Sequence, residues 1–334
     1  MLSTRNNKYL SIGIFLIIIT LNVSLNSCTS EEKYSLSIDS LQTYGDNEKN
    51  IMSIIGDYKY HKEKVYILDI IQKKIFIYNL NGKIAKRIQL RTGKGPGDFT
   101  MGIFAFDVIS DTSLAIVDNM LNRIQIISTN NKYINSFYTD FMPNDIFYRD
   151  SLLYIAGNDI KRLIYVYNLK GEKLDSLITP FKLKNQPQPW FSKIAIEQNG
   201  AFYTCNPYKT EIIKWEKNKK IWTFNNNKLN LVSLPIVRNR SGKITMRNAD
   251  KGWAKIFVYK NYLISITYNY KSESEGEVKP KILIIDKNTG KLLFIQTVKT
   301  QFLADSFERG KYVFSVVNEP YPHLERIFLK IYKR

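Results

Sequence analysis

Cysteine and histidine are almost missing from this chain. Its 334 residues include two of each, Cys28 and Cys205, His61 and His323. A zinc centre draws on several His or Cys ligands at set spacings, and these four residues offer no such spacing, so none is assigned to a metal. Both histidines sit in polar turns, YHKEK and YPHLE, and are expected to be solvated. Acidic residues are in deficit, 30 against 49 basic ones. Glycine and proline are sparse, at 16 and 10, and few segments carry a helical period. Nucleophile motifs, Walker loops and haem-attachment motifs are also absent, which leaves catalysis without support and no cofactor assigned. Only one long apolar run exists, from about Leu10 to Leu25. It is shorter than the roughly 20 apolar residues of a membrane-spanning helix.

That run has a purpose of another kind. Arg5 and Lys8 precede it, Asn22 interrupts it, and Leu25-Asn26-Ser27-Cys28 closes it. A basic start, a short apolar run and a small residue at the exit make a secretory signal peptide, removed on export. The closing tetrapeptide resembles a bacterial lipobox, which implies cleavage before Cys28 and acylation of its thiol. Residues 1–27 are therefore expected to be a lipoprotein signal peptide and 28–33 a lipidated tether. Several acyl chains on one cysteine satisfy the need for at least two hydrophobic signals in stable anchoring. Cys205 is then alone in the mature chain, without an internal disulfide, and its apolar setting AFYTC suits a buried inert thiol. Residues 1–27 carry two basic residues and no acid, so the mature charge is +17. An exported chain rarely meets nucleic acid. Anionic lipid, an acidic glycan or an envelope protein or peptide are the expected counter-surfaces, beside the plain solubility that a lysine-rich surface gives. Glu31 and Glu32, directly after the anchor, resemble a surface-export signal of some lipoproteins. The expected location is the outer membrane, lipid-anchored, on its external or its periplasmic side.

Beyond the tether, short β-branched and aromatic runs alternate with Asn, Gly, Asp and Lys, the pattern of strands and turns. One paragraph repeats six times: at 65–90, 114–138, 153–178, 202–224, 263–297 and 312–334. Each copy reads strand, polar turn, strand, tight turn, strand, and a further strand precedes it. Asn81-Gly82, Asn130-Asn131, Lys170-Gly171 and Thr289-Gly290 supply the positive φ that two-residue hairpins need. Four antiparallel strands repeated every 40–60 residues or so predict an all-β, six-bladed β-propeller over 34–334. The last copy stops after its third strand, and YSLSIDSLQ (34–42) is a strand without a blade. Lending it to the last blade closes the ring and removes an exposed edge.

The stretch RTGKGPGDFTMGIFAFDVISDTSLAIVDNMLNRIQII (91–127) resembles an NHL repeat, through Gly93, Gly95, Pro96, Gly97, Phe99, Asp118, Asn122, Arg123 and Ile124. With the lipobox, the chain resembles the six-bladed propeller lipoproteins of Gram-negative bacteria, including TolB-like ones. The glycines near Lys94 do not form a phosphate cradle, because no helix follows them. They are expected to make a tight inter-blade crossover with Phe99 as a plug, and Asp118 and Arg123 to pair across a turn.

Two readings of function follow. In the first, the propeller is a non-enzymatic ligand-binding or protein-interaction scaffold. Its candidate residues are Arg238, Arg240, Lys243, Arg247 and Trp253 in the longest connection, with Trp190 in KNQPQPWFSK. They suit an acidic partner through forked hydrogen bonds and stacking. In the second, it is a metal-dependent hydrolase or lyase acting on a small exported substrate, as the resemblance to propeller enzymes implies. Calcium in the central channel then stays open, with Asp107, Asp145, Glu197 and Asp305 near inner-strand ends as carboxylates that could converge.

Overall fold

The computed structural model describes residues 34–45, 51–158, 162–177, 193–197, 199–206, 211–217, 219–225, 237–238, 244–245, 253–267, 270–272, 276–278, 281–298, 303–307, 311–317 and 322–333. Cys28, Trp190, Arg240, Lys243 and Arg247 lie outside them, as do the side chains of Arg238 and Trp253.

Six antiparallel four-stranded sheets make the ring. From inner to outer strand, blade 1 is Ile55–His61, Lys64–Asp69, Lys74–Asn79 and Ile84–Gln89. Blade 2 is Ile103–Ser110, Ser113–Asp118, Arg123–Ser128 and Tyr133–Tyr138. Blade 3 is Met142–Arg149, Leu152–Asn158, Ile164–Asn168 and Lys173–Leu177. Blade 4 is Lys193–Ile196, Phe202–Asn206, Glu211–Glu216 and Lys219–Asn225. Blade 5 is Trp253–Tyr259, Tyr262–Thr267, Lys281–Asp286 and Leu292–Thr297. Blade 6 is Leu303–Phe307, Tyr312–Val317, His323–Lys333 and, as its outer strand, Tyr34–Tyr44.

The predicted closure is therefore observed. Tyr34 pairs with Lys333 and Tyr44 with Leu324, along a ladder broken by one bulge at Ser40/Gln42. Buried Tyr44 then reaches across to blade 1, where its hydroxyl donates to the Leu80 carbonyl at 3.1 Å. The second residue of each predicted hairpin turn has positive φ: Gly82 80°, Asn131 59°, Gly171 90° and Gly290 73°.

Middle strands are apolar on both faces because each sheet packs against two neighbours. Every blade-to-blade interface holds an apolar cluster. Between blades 1 and 2 it includes Leu68, Ile75, Phe106 and Ile116, with Phe99 fully buried as the crossover plug. Between blades 6 and 1, Tyr58, Tyr60, Tyr78 and Phe314 fill the gap. Cys205 is buried in the cluster of blades 4 and 5. Arg123 is the largest fully buried side chain. It donates to the carbonyls of Lys94, Gly95 and Asp98 and meets Asp118 Oδ2 at 3.0 Å, and with buried Gln125, which accepts from the Gly97 amide at 2.8 Å, it holds the 91–99 loop. Asp69 clamps the equivalent crossing in blade 1, accepting from the amides of Ser53, Ile71 and Gln72. In register with these acids, blade 3 has Gly157 and blade 5 has Thr267, so the clamp does not recur there. His323 departs from expectation: it is buried at the start of its strand, 3.5 Å from Glu325, rather than solvated. His61 is partly covered, 3.3 Å from Asp111.

Candidate functional site

The inner strands line the central channel, and their free edges pose a problem of unpaired backbone amides. Aspartates solve it. Asp57 accepts from its own neighbour Tyr58 and, at 3.1 Å, from the Phe106 amide of blade 2. Asp107 repeats the move one blade on, accepting from Val108 and, at 2.6 Å, from the Tyr148 amide of blade 3. Asp145 accepts from Ile146. Blades 1 and 2 thus each hand a carboxylate to the next blade.

Register places these residues on tiers. A bulge early in the inner strands of blades 1, 3 and 5 sets Asp57, Asp145 and Lys255 at one level, opposite Leu68, Ala156 and Ile266. One step further in lie Lys59, Asp107 and Asp305, opposite Tyr66, Ala115 and Phe314. Lys59 meets Asp57 at 3.2 Å and Lys255 meets Asp305 at 2.9 Å. The ammonium of Lys59 also stands 5.5 Å over the Phe147 ring. Burial alone would lower Lys59, but Asp57, Asp107 and Asp145 outweigh it and hold the ammonium above its ordinary range. Lys255 is raised in the same way, against burial, by Asp305, Asp57 and Asp145. The acids answer in the other direction. Burial pushes the Asp107 carboxyl up to about 6 against the pull of Lys59 and the two amides, and burial also raises Asp145.

Of the four carboxylates expected to converge, Asp107, Asp145 and Asp305 do reach the channel. Glu197 does not: it closes a turn with the Tyr203 hydroxyl and, at 2.7 Å, Lys287. Asp57, Lys59 and Lys255 were not expected there. In an isolated sequence a strand Lys reads as a solvent-facing residue, and nothing local marks the wall of a channel. Among the described residues no group of three or more His, Cys, Asp or Glu is arranged to hold a metal ion. The chemistry agrees, since two ammonium groups already occupy the field of the carboxylates. A divalent ion would have to displace them.

The channel mouth differs in character. Inner strands start, and outer strands end, on one face of the ring, together with the loops joining second to third strands. On this face Ile51, Ile54, Ile71, Met101, Phe104 and Met120 are between 40% and 66% exposed. They are neighbours. Ile70 donates its amide to the Ile54 carbonyl, Gln72 bonds the Ile51 carbonyl, Gly56 lies against Ile70 and the Phe104 carbonyl, and Gly102 lies under Met120. Large apolar side chains gathered at one rim differ from the scattered exposure usual on proteins. Nothing in the sequence signalled this patch, because its members come from two crossovers, two turns and the start of an inner strand. Among the sequence-named residues, the Val237–Arg238 backbone pairs with Ile244–Thr245 in a two-stranded ribbon, and Trp253 opens the inner strand of blade 5.

The described residues contain no helix long and apolar enough to cross a membrane. No curated protein sequence matches the chain. Among solved structures, a member of the duf4221 family from Bacteroides vulgatus superposes with TM-score 0.63 at 11% identity, covering 92% of this chain and 100% of that one. A protein of Bacteroides fragilis assigned as exported gives 0.59 at 12% identity, covering 91% and 98%. At such identity these likenesses speak for the fold. A family model described as a 6-bladed beta-propeller matches residues 11–318. The chain belongs to that six-bladed β-propeller family.

Proposed function

We propose that the protein is an exported lipoprotein, anchored through Cys28, whose propeller serves as a binding and scaffolding module for an envelope protein. The observation that carries this reading is the apolar rim of Ile51, Ile54, Ile71, Met101, Phe104 and Met120 at the channel mouth. Burying such a rim against a partner would contribute about 25 cal/mol per Å² of apolar area. The channel beneath it supports the same reading, because Asp57, Asp107 and Asp305 are already engaged by backbone amides and lysines. The same face suits the acidic partner expected from Arg238, Arg240, Lys243, Arg247, Trp253 and Trp190. The strands flanking the connection 226–252, Lys219–Asn225 and Trp253–Tyr259, respectively end and begin on it. Export and an outer-membrane address rest on the signal-like N-terminus, the lipobox and the NHL-like and TolB-like resemblance. An exported relative of the same fold is consistent with them.

The test is retention of a cross-linked envelope protein on affinity-purified full chain. Phe104→Asp/Met120→Asp should release it, while Leu174→Asp/Ile221→Asp, exposed apolar positions away from the mouth, should not. Equal retention by both variants would remove the rim from the account.

A further inference from the structure

The opposite face of the ring is built differently. It carries the turns joining first to second and third to fourth strands, and it receives the start of the closing strand. Tyr34 pairs there with Lys333, so the chain enters and leaves the propeller on this face. Its turns are rich in lysine. Lys83, Lys132, Lys170, Lys217, Lys260 and Lys291 are all exposed, and they come from turns of five different blades. Among the described residues none of the six has an ion-pair partner. The acids of this face are held by other groups: Asp111 by Lys62 at 3.1 Å, Asp150 by Arg149 at 3.1 Å, Glu197 by Lys287 at 2.7 Å, Glu216 by Lys214 at 2.9 Å, Glu63 by the Tyr60 and Tyr312 hydroxyls, Glu172 by Asn168 and Asp286 by Thr289. Six ammonium groups, spread over five blades, are left facing outward without an ion-pair partner among the described residues.

We infer that this turn face docks on an anionic membrane surface, with lipid headgroup phosphates as its partner. The lysines supply the charge whether or not the chain is acylated. With the Cys28 anchor proposed above, six residues, 28–33, span at most about 20 Å at 3.3–3.6 Å each. An acylated Cys28 therefore keeps Tyr34, and the face it enters, close to the bilayer. Headgroup phosphates need no forked donor, and a compact ammonium on a flexible stem suits them. Such contacts act within a Debye length of about 8 Å at physiological salt, so the face must lie nearly flat. In that pose the apolar mouth of blades 1 and 2 points away from the membrane, open to a soluble or membrane-borne partner. The acyl chains hold the protein to the bilayer, and the lysines orient it.

The test uses the mature chain, residues 28–334, as Cys28→Ser, so that neither the apolar run of residues 10–25 nor an acyl chain contributes. Sedimentation with vesicles of phosphatidylcholine alone is compared with vesicles containing phosphatidylglycerol. Binding should require phosphatidylglycerol and fall steeply with salt. A lysine near an anionic surface is worth about fivefold in partitioning. Lys83→Gln/Lys291→Gln should thus weaken binding about 25-fold, while Lys74→Gln/Lys94→Gln, on the mouth side, should change it little. Equal binding to neutral vesicles, or equal loss in the two variants, overturns the inference. Labelling of wild-type cells with a palmitate analogue tests the anchor separately. An unlabelled protein that still binds phosphatidylglycerol through Lys83 and Lys291 would sink the anchor and leave the docking face standing.

Discussion

Replacing Asp107 by Asn should stabilise the propeller at neutral pH and leave it nearly unchanged in acid. The carboxyl is buried in the channel wall and pushed up to about 6, from an ordinary 3.8. Its folded-state value therefore lies above its unfolded one. Between pH 4 and 6 the native state binds the extra proton, so the stability associated with this group is present in acid and lost as pH rises. The span corresponds to about 3 kcal/mol at 1.36 kcal/mol per unit, and water at the channel mouth brings the expected effect nearer to 2. Asn keeps an oxygen to accept from Tyr148 and Val108, so the blade-to-blade hydrogen bonds survive. Urea unfolding of both proteins at several pH values between 4 and 8 gives the difference directly. It should grow from near zero at pH 4 to about 2 kcal/mol above pH 7. A difference that stays flat with pH, or Asn losing stability at pH 7.5, would refute a carboxylate strained by burial.

Other consequences are as concrete. Deleting residues 34–42 removes most of the ladder to the last strand. With about 1 kcal/mol net per hydrogen bond, the loss rivals the whole stability of a domain. The truncated protein should be unfolded by circular dichroism at 25 °C, whereas deleting 29–33 should leave melting unchanged. Arg123→Ala strands Asp118 as a buried charge and should cost about 3–5 kcal/mol in urea unfolding. Adding Asp118→Asn should recover part of that loss, and a single variant within 1 kcal/mol of wild type would show the guanidinium to be dispensable.

Much of the fold was legible because hairpins write themselves locally. The turn at Asn81-Gly82 and the extra strand at 34–42, ahead of the first complete blade, are properties of adjacent residues and strand count. The clamp of Asp118 and Arg123 was legible for the same reason, being five residues apart on paired strands. The channel was only half legible. Asp107, Asp145 and Asp305 stood out as acids near inner-strand ends, but their partners Lys59 and Lys255 did not. Whether a strand lysine faces solvent or a channel depends on a bulge and on curvature, neither of which a pattern of period two records. His323 misled because proline flanks suggest an exposed turn, while the strand that follows draws it inward. The apolar rim was hidden altogether, since residues of blade 1 such as Ile54 and residues of blade 2 such as Phe104 and Met120 share one face only once the two blades are side by side.

The central claim is that the two faces of the ring meet different neighbours, protein at the mouth and lipid at the turns. A photo-cross-linking residue placed at 104, and in a second strain at 83, would report both in intact cells. The account predicts a discrete protein adduct from position 104 and lipid adducts from position 83. Protein adducts at 83 with none at 104, or lipid at 104, would contradict it.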